Sequence, residues 1–287
     1  MSASSSISHR GRSLRITVVA VGLLVCLMLF FADKSNLHNQ KDSALGTTSV
    51  PSSAQTTASG KIPPLAKDEK FDLWVAELEK AGATEKVTLL DSIVQLLVKR
   101  NRFEYAADYA DQLAQQESSL KNRLQAGVLS QKASQLEYIQ SDSLLFRQYS
   151  RQTISYLSAV VEENPDQEEA LLYLGLGYIQ SGLPENSMKG IMTLRSVVEK
   201  NPNHIEAGYY LGLFSLQTNQ LEKAKERFET VLKNAPDYSP AKLQLAVTHI
   251  QMGQPALAKT LLEELLRGKE ADDEIKLTAR ELINTLP

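Results

Sequence analysis

Four histidines and one cysteine are the only imidazole and thiol ligands in this 287-residue sequence. A protein metal site needs such ligands at set spacings, as in paired Cys or two His one helical turn apart. His9, His38, His204 and His249 are scattered, and none stands at ligand spacing from another His or from Cys26. Acyl transfer would call for a serine on a tight strand–helix turn, and phosphate handling for a glycine-rich loop ahead of a helix. Neither motif occurs, and no carboxylate pair stands apart from the general surface charge. His204 follows a turn and is expected in solvent; His249 falls on a packing row. In the run "LEKAKERFE" the signs alternate as on a solvated helix face, and Glu229 and Lys233 have the i,i+4 spacing of a supporting pair. The sequence therefore predicts a protein that is not an enzyme and has no cofactor and no metal of its own.

The charge balance points away from nucleic acid. The net charge is −3, with no basic excess. Residues 1–15 carry Arg10, Arg12 and Arg15 and no acid; with these set aside, 28 basic residues face 34 acidic ones, a net of −6. Next comes "ITVVAVGLLVCLMLFFA", 17 uncharged residues from Ile16 to Ala32. A bilayer-spanning helix takes about 17–25 apolar residues, and a cleaved signal core roughly 7–15. Bulky Phe30 is unsuited to cleavage after Ala32, and the residues around Cys26 make a poor lipobox. The segment 16–32 reads as a transmembrane signal anchor. The arginines ahead of it predict a short cytoplasmic tail, 1–15, and export of residues 33–287 to the periplasmic side of a bacterial inner membrane. In a eukaryote the same arginine- and serine-rich start would read as mitochondrial.

Residues 33–66 are rich in Ser, Thr, Ala and Pro and lack a periodic apolar face. They read as a disordered linker of roughly 30 Å end to end. With Cys26 in the anchor, the exported part has no disulfide and must be held by packing alone.

The rest of the chain repeats. Pro165 and Pro202 are 37 residues apart, and Pro202 and Pro236 are 34 apart. Each proline closes a stretch with two runs of apolar residues at helical spacing, because proline ends a helix and biases the residue before it away from helical geometry. The units begin at Glu168, Ile205 and Ser239. Small residues recur at one register in the first run, Gly175, Gly212 and Ala246, and at another in the second run, Gly190, Ala224 and Ala258. They mark where two helices of a unit cross closely, and a larger side chain there would overpack at about 1–3 kcal/mol. The turn between the runs carries Gly182, Asn219-Gln220 or Gly253; in the first unit three extra residues lengthen "LPENSM". The rows are not uniform. Leu171 is matched by Gly208 and Lys242, so a large residue is missing twice, and Tyr178 by Ser215 and His249.

This pattern resembles the tetratricopeptide repeat, a 34-residue helix–turn–helix unit. The resemblance implies an all-α fold: a right-handed helical solenoid of three repeats over 164–268. Residues 67–163 read as N-terminal helices and degenerate repeats. They include a helix packed through Phe71, Trp74 and Leu78, a unit with Ile93, Asn101 and Ala106 in register, and a longer helical pair over 118–163. Residues 269–287 read as a solvated capping helix with an acidic start.

The family binds peptides or protein segments on a concave surface lined by the first helices. The residues in the matching rows are Leu172, Leu176 and Ile179; Tyr209, Leu213 and Leu216; and Leu243, Val247 and Ile250. Some of them also pack between units. All nine are apolar or aromatic, so the expected guest is an apolar or amphipathic protein segment, or a second copy of the chain in a homo-oligomer. The Lys/Asn clamp that chaperone-docking members use for a terminal carboxylate is absent. The expected role is a membrane-anchored scaffold or adaptor in the assembly of an envelope or membrane protein complex. The alternative is a non-catalytic regulatory or adaptor subunit of an enzyme complex, such as a protease or a cytochrome c maturation machinery.

Overall fold

A computed structural model describes residues 62–269 and 271–286. The expected tail 1–15, the anchor 16–32 and the linker up to residue 61 lie outside the described residues. Within them there are thirteen helices and no strand, and no helix is long and apolar enough to cross a membrane.

The helices are α1 Glu69–Leu78, α2 Ala83–Lys99, α3 Phe103–Gln116, α4 Leu120–Ser134, α5 Glu137–Gln140, α6 Ser143–Glu163, α7 Glu168–Gln180, α8 Pro184–Lys200, α9 Ile205–Gln217, α10 Leu221–Asn234, α11 Ser239–Gln251, α12 Pro255–Arg267 and α13 Asp273–Thr285. Most pack chiefly on their neighbours in sequence; α4 instead packs most heavily on α6, past the one-turn α5, and also reaches α7. The core is accordingly a series of five clusters, each confined to a few successive helices. That is the organisation of a helical solenoid, in which a unit contacts only those beside it.

The punctuation of the helices is local chemistry. Asp68, Ser119, Asp142 and Asp272 accept hydrogen bonds from backbone N–H groups in the first turns of α1, α4, α6 and α13. Pro184, Pro240 and Pro255 stand in the first turns of α8, α11 and α12, where no N–H is needed. Four interhelical turns pass through a left-handed residue at one register: Asn101, Gly182, Asn219 and Gly253, with φ between 55° and 72°. Only Gly and, at some cost, Asn adopt this conformation routinely. In three of these turns the next N–H reaches back to close the helix: Arg102 to Leu97 O, Gln220 to Ser215 O and Gln254 to His249 O.

Three details depart from the sequence expectation. The extra residues of the first unit do not lengthen its turn, which is Ser181–Leu183; they lengthen its second helix, α8, to 17 residues against 14 and 13 for α10 and α12. Pro184 at the helix start and Glu185 in its positive first turn make "LPENSM" a good helix beginning. The 118–163 pair contains an additional one-turn helix, α5, whose Ile139 is buried in the first cluster. Glu229 pairs with Lys225 at 3.8 Å rather than with Lys233.

The small-residue rows sit where the paired helices meet. A Cβ on Gly190 would fall 2.4 Å from the Gly175 carbonyl oxygen, and one on Gly212 would fall 2.6 Å from the Phe228 ring. Ala224, Ala246 and Ala258 are fully buried at the matching places.

The N-terminal helices form the first cluster. Phe71, Trp74, Val75 and Leu78 of α1 pack on Ile93, Val94 and Leu97 of α2 and on the alanines of α3. Ile62 and Leu65 pack there too. A buried polar network crosses this region. The Tyr149 hydroxyl donates to Asp108 Oδ1 at 3.1 Å and approaches the Glu104 carbonyl at 3.2 Å, and the Tyr156 hydroxyl donates to Asp111 at 2.7 Å. Burial raises the Asp108 carboxyl to about 6 against the pull of the Tyr149 bond, and the nearby Asp111 and Glu104 carboxylates add to the rise. A carboxyl raised on folding favours the native state while protonated, so its contribution is lost as pH climbs from about 4 through about 6. Asp108→Asn keeps an acceptor for Tyr149 and removes the charge. It should raise the unfolding free energy at pH 7 by about 2 kcal/mol and flatten the stability profile between about pH 4 and 6. Chemical denaturation at several pH values measures both.

Candidate protein-binding surface

The nine candidate residues lie on the first helices of the three units, and the structure divides them by burial. Leu172, Leu176 and Leu243 are buried; Ile179, Tyr209, Leu213, Leu216, Val247 and Ile250 are half-buried. Eight of the nine take part in clusters between adjacent helices. Leu172, Leu176 and Ile179 join Leu194 and Leu211; Tyr209, Leu213 and Leu216 join Phe228 and Leu245; Leu243 and Ile250 join Leu262. Val247 alone stands outside the clusters. The row is thus part interior and part surface, and the six half-buried members are what a guest could reach.

Aromatic rings fill the middle of this region. Tyr209 makes edge-on contacts with Tyr210 at 5.5 Å and Tyr238 at 5.4 Å, and a tilted one with Phe228 at 6.0 Å. Such pairs are worth about 0.5–1.5 kcal/mol beyond their buried area. Burial pushes the Tyr238 and Tyr173 hydroxyls up to about 12, and it raises Tyr209 and Tyr210 as well. These hydroxyls therefore stay protonated across the physiological range and can donate hydrogen bonds.

Sequence reasoning put Gln180 beside the groove and missed its polar partners on α4. Gln180, at the end of α7, accepts from Gln131 Nε2 at 2.9 Å and from the Ser134 hydroxyl at 3.0 Å, both on α4. Gln131, Ser130 and Ser134 are fully buried, as is Thr153 of α6. The Gln131 Oε1, Ser130 Oγ and Thr153 Oγ1 atoms have no partner among the described residues. Buried on every side yet partly polar, α4 has no apolar stripe for periodicity to find. Lys132 of the same helix lies 5.6 Å from the Phe103 ring centre and 6.0 Å from that of Tyr173.

The two histidines among the described residues, His204 and His249, are structural. His204 caps α9 by accepting from Ala207 N at 3.3 Å, and it is half-buried rather than in solvent. His249 is buried and shares a 2.7 Å hydrogen bond with Gln254 across the α11–α12 turn. Among the described residues no group of three His, Cys, Asp or Glu is placed to hold a metal. The more exposed apolar side chains lie elsewhere: Leu183, Met188 and Met192 at α8, Leu257 on α12, and Leu73, Leu144 and Leu277 on α1, α6 and α13.

Comparison with known proteins agrees with the repeat geometry. Residues 216–282, from the end of α9 into α13, match the family model for the tetratricopeptide repeat. The match covers the latter part of the second unit and all of the third. The chain is similar in structure to YrrB, described as a TPR protein with an unusual peptide-binding site, at 17% identity over 74% of this chain and 99% of that one, with a TM-score of 0.45. It is also similar to MamA from Desulfovibrio magneticus RS-1, at 17% identity over 70% of this chain and 96% of that one, with a TM-score of 0.46. A MamA from AMB-1 gives 19% identity, 67% and 97% coverage and a TM-score of 0.44. No curated protein matches the sequence.

Proposed function

We propose that this chain is a non-catalytic tetratricopeptide scaffold that binds protein segments along its first helices. Residues 16–32 hold it at a membrane with residues 33–287 on the exported side, where it serves in assembling an envelope or membrane protein complex. The observation that carries the reading is the half-exposed apolar row on α7, α9 and α11, repeated at one register in consecutive units. A guest that covered Ile179, Tyr209, Leu213, Leu216, Val247 and Ile250 would bury apolar surface now half in water. An apolar or amphipathic helix presents its own residues at matching intervals. The Tyr209–Tyr238 aromatic group offers a rigid anchor of the kind that dominates protein interfaces.

Val247→Glu is the variant of choice, because Val247 lies outside the packing clusters. Full-length protein carrying it should keep its helical circular dichroism and lose at least about tenfold in recovery of a specific partner from native membranes. Recovery of the same partners in the same amounts by wild type and variant would reject the first-helix row as the binding surface.

A further inference from the structure

The middle unit carries a cleft. It has a volume of about 280 Å³ and lies between the end of α8, the start of α9 and the length of α10. Val198, Ile205, Gly208 and Val231 give it an apolar floor; Lys223 and Arg227 stand at its side, with one acidic residue, Glu226, partly balancing their charge. Its origin is legible in the register. The row that holds Leu171 in the first unit holds Gly208 in the second and Lys242 in the third. Leu171 is buried against Leu194 and Val197. Lys242 turns its charge to Glu264 at 3.6 Å. At Gly208 there is no side chain, and a Cβ built there would lie only 3.1 Å from Val231 Cγ2. The cleft borders the position at which this unit omits the large residue.

The cations beside the cleft are not used by the fold. Among the described residues Arg227 makes no ion pair, and Lys223 only donates to Gln220 at 2.8 Å. Burial disfavours the Arg227 charge, and Arg195 on α8 adds repulsion, which Glu226 opposes in part. A half-buried guanidinium facing a second arginine is stabilised by any carboxylate brought to it. Asn203 and Asn234 add side-chain amides to the lining.

We propose that this cleft binds an acidic–apolar step of a partner peptide: an aliphatic side chain on the floor left open by Gly208, and the carboxylate of an adjacent Glu or Asp on Arg227 and Lys223. The volume lies at the lower end of the roughly 300–1,000 Å³ of ordinary ligand sites, which suits one side chain and a charged neighbour rather than a longer segment. The apolar floor selects against a bare inorganic anion. The site is separate from the first-helix row. It rests on the scaffold reading only in taking a protein segment as its ligand.

The test uses the full chain and a fluorescent, end-capped peptide, Gly-Glu-Leu-Gly, beside its Gln-for-Glu counterpart, with binding read by anisotropy. The Glu peptide should bind saturably and the Gln peptide at least about tenfold more weakly, the worth of one charge-assisted contact. Gly208→Leu and Arg227→Ala should each weaken the Glu peptide by about tenfold or more, and inorganic phosphate should not displace it. Equal binding of the two peptides, indifference to both substitutions, displacement by phosphate, or no saturable binding would each overturn the assignment. Arg227→Ala decides the matter if Gly208→Leu perturbs folding. A failed peptide titration together with a partner lost in Val247→Glu would reject the cleft and leave the first-helix row standing.

Discussion

Gly190→Ala is expected to lower the unfolding free energy by about 3 kcal/mol, although alanine is the better helix former by about 1 kcal/mol. The new methyl would sit 2.4 Å from the Gly175 carbonyl oxygen, 2.7 Å from Ile179 Cγ1 and 3.0 Å from Ile179 N. Two of these neighbours are backbone atoms of α7, so no rotamer change can make room and α7 must move away from α8. Leu194 and Val197, buried between them, would then lose contact with Leu171 and Leu176. In a domain of this size the loss corresponds to a fall in Tm of roughly 6–12 °C. Gly82→Ala is the control. Nothing lies within 4 Å of a Cβ there, and the change should stay within about 0.5 kcal/mol. Thermal melts of the two variants beside the wild type decide the point; a Gly190→Ala protein as stable as the wild type would show that the helices do not cross this closely.

Arg102→Ala should cost a similar amount, about 3 kcal/mol, for a different reason. The Arg102 Nε meets Glu104 Oε1 at 2.6 Å, and Glu104 is only 1% exposed. The other carboxylate oxygen of Glu104 has no partner among the described residues, so loss of the arginine leaves a buried charge uncompensated. The same guanidinium donates to the Pro64 carbonyl at 3.2 Å and to the Pro63 carbonyl, and it lies over the Tyr105 ring. Arg102 thus fixes residues 62–66 to the body. The two roles separate in a double variant. Adding Glu104→Gln removes the buried charge and should restore at least half of the lost stability, whereas trypsin should still cut after Lys67 faster than in the wild type. Full recovery of both would show that Arg102 does not hold the segment.

What the sequence revealed, it revealed where backbone geometry or close packing leaves few choices. The left-handed turn residue must be Gly or Asn, and Asn101, Gly182, Asn219 and Gly253 mark all four turns. The crossings need small residues, so Gly175, Gly190 and Gly212 announce the helix pairs. The three extra residues of the first unit were harder to place, because an insertion fits a turn or a longer helix equally until Pro184 is seen to start α8. Gln131 and Ser134, the α4 partners of Gln180, left no signal, since periodicity registers apolar stripes and α4 has none. The candidate row was legible as a row. Its burial was not: whether Leu172 or Val247 reaches solvent depends on how successive units stack, and a single repeat does not encode that.

The most direct measurement places a photocrosslinking amino acid at Val247 in the full-length protein, and separately at Leu257 on the second helix of the same unit, in native membranes. If the first helices are the working surface, Val247 should yield a defined adduct with another polypeptide, and Leu257, though 53% exposed, should not. Adducts from Leu257 alone, or none from Val247 beyond links within the chain itself, would contradict the account.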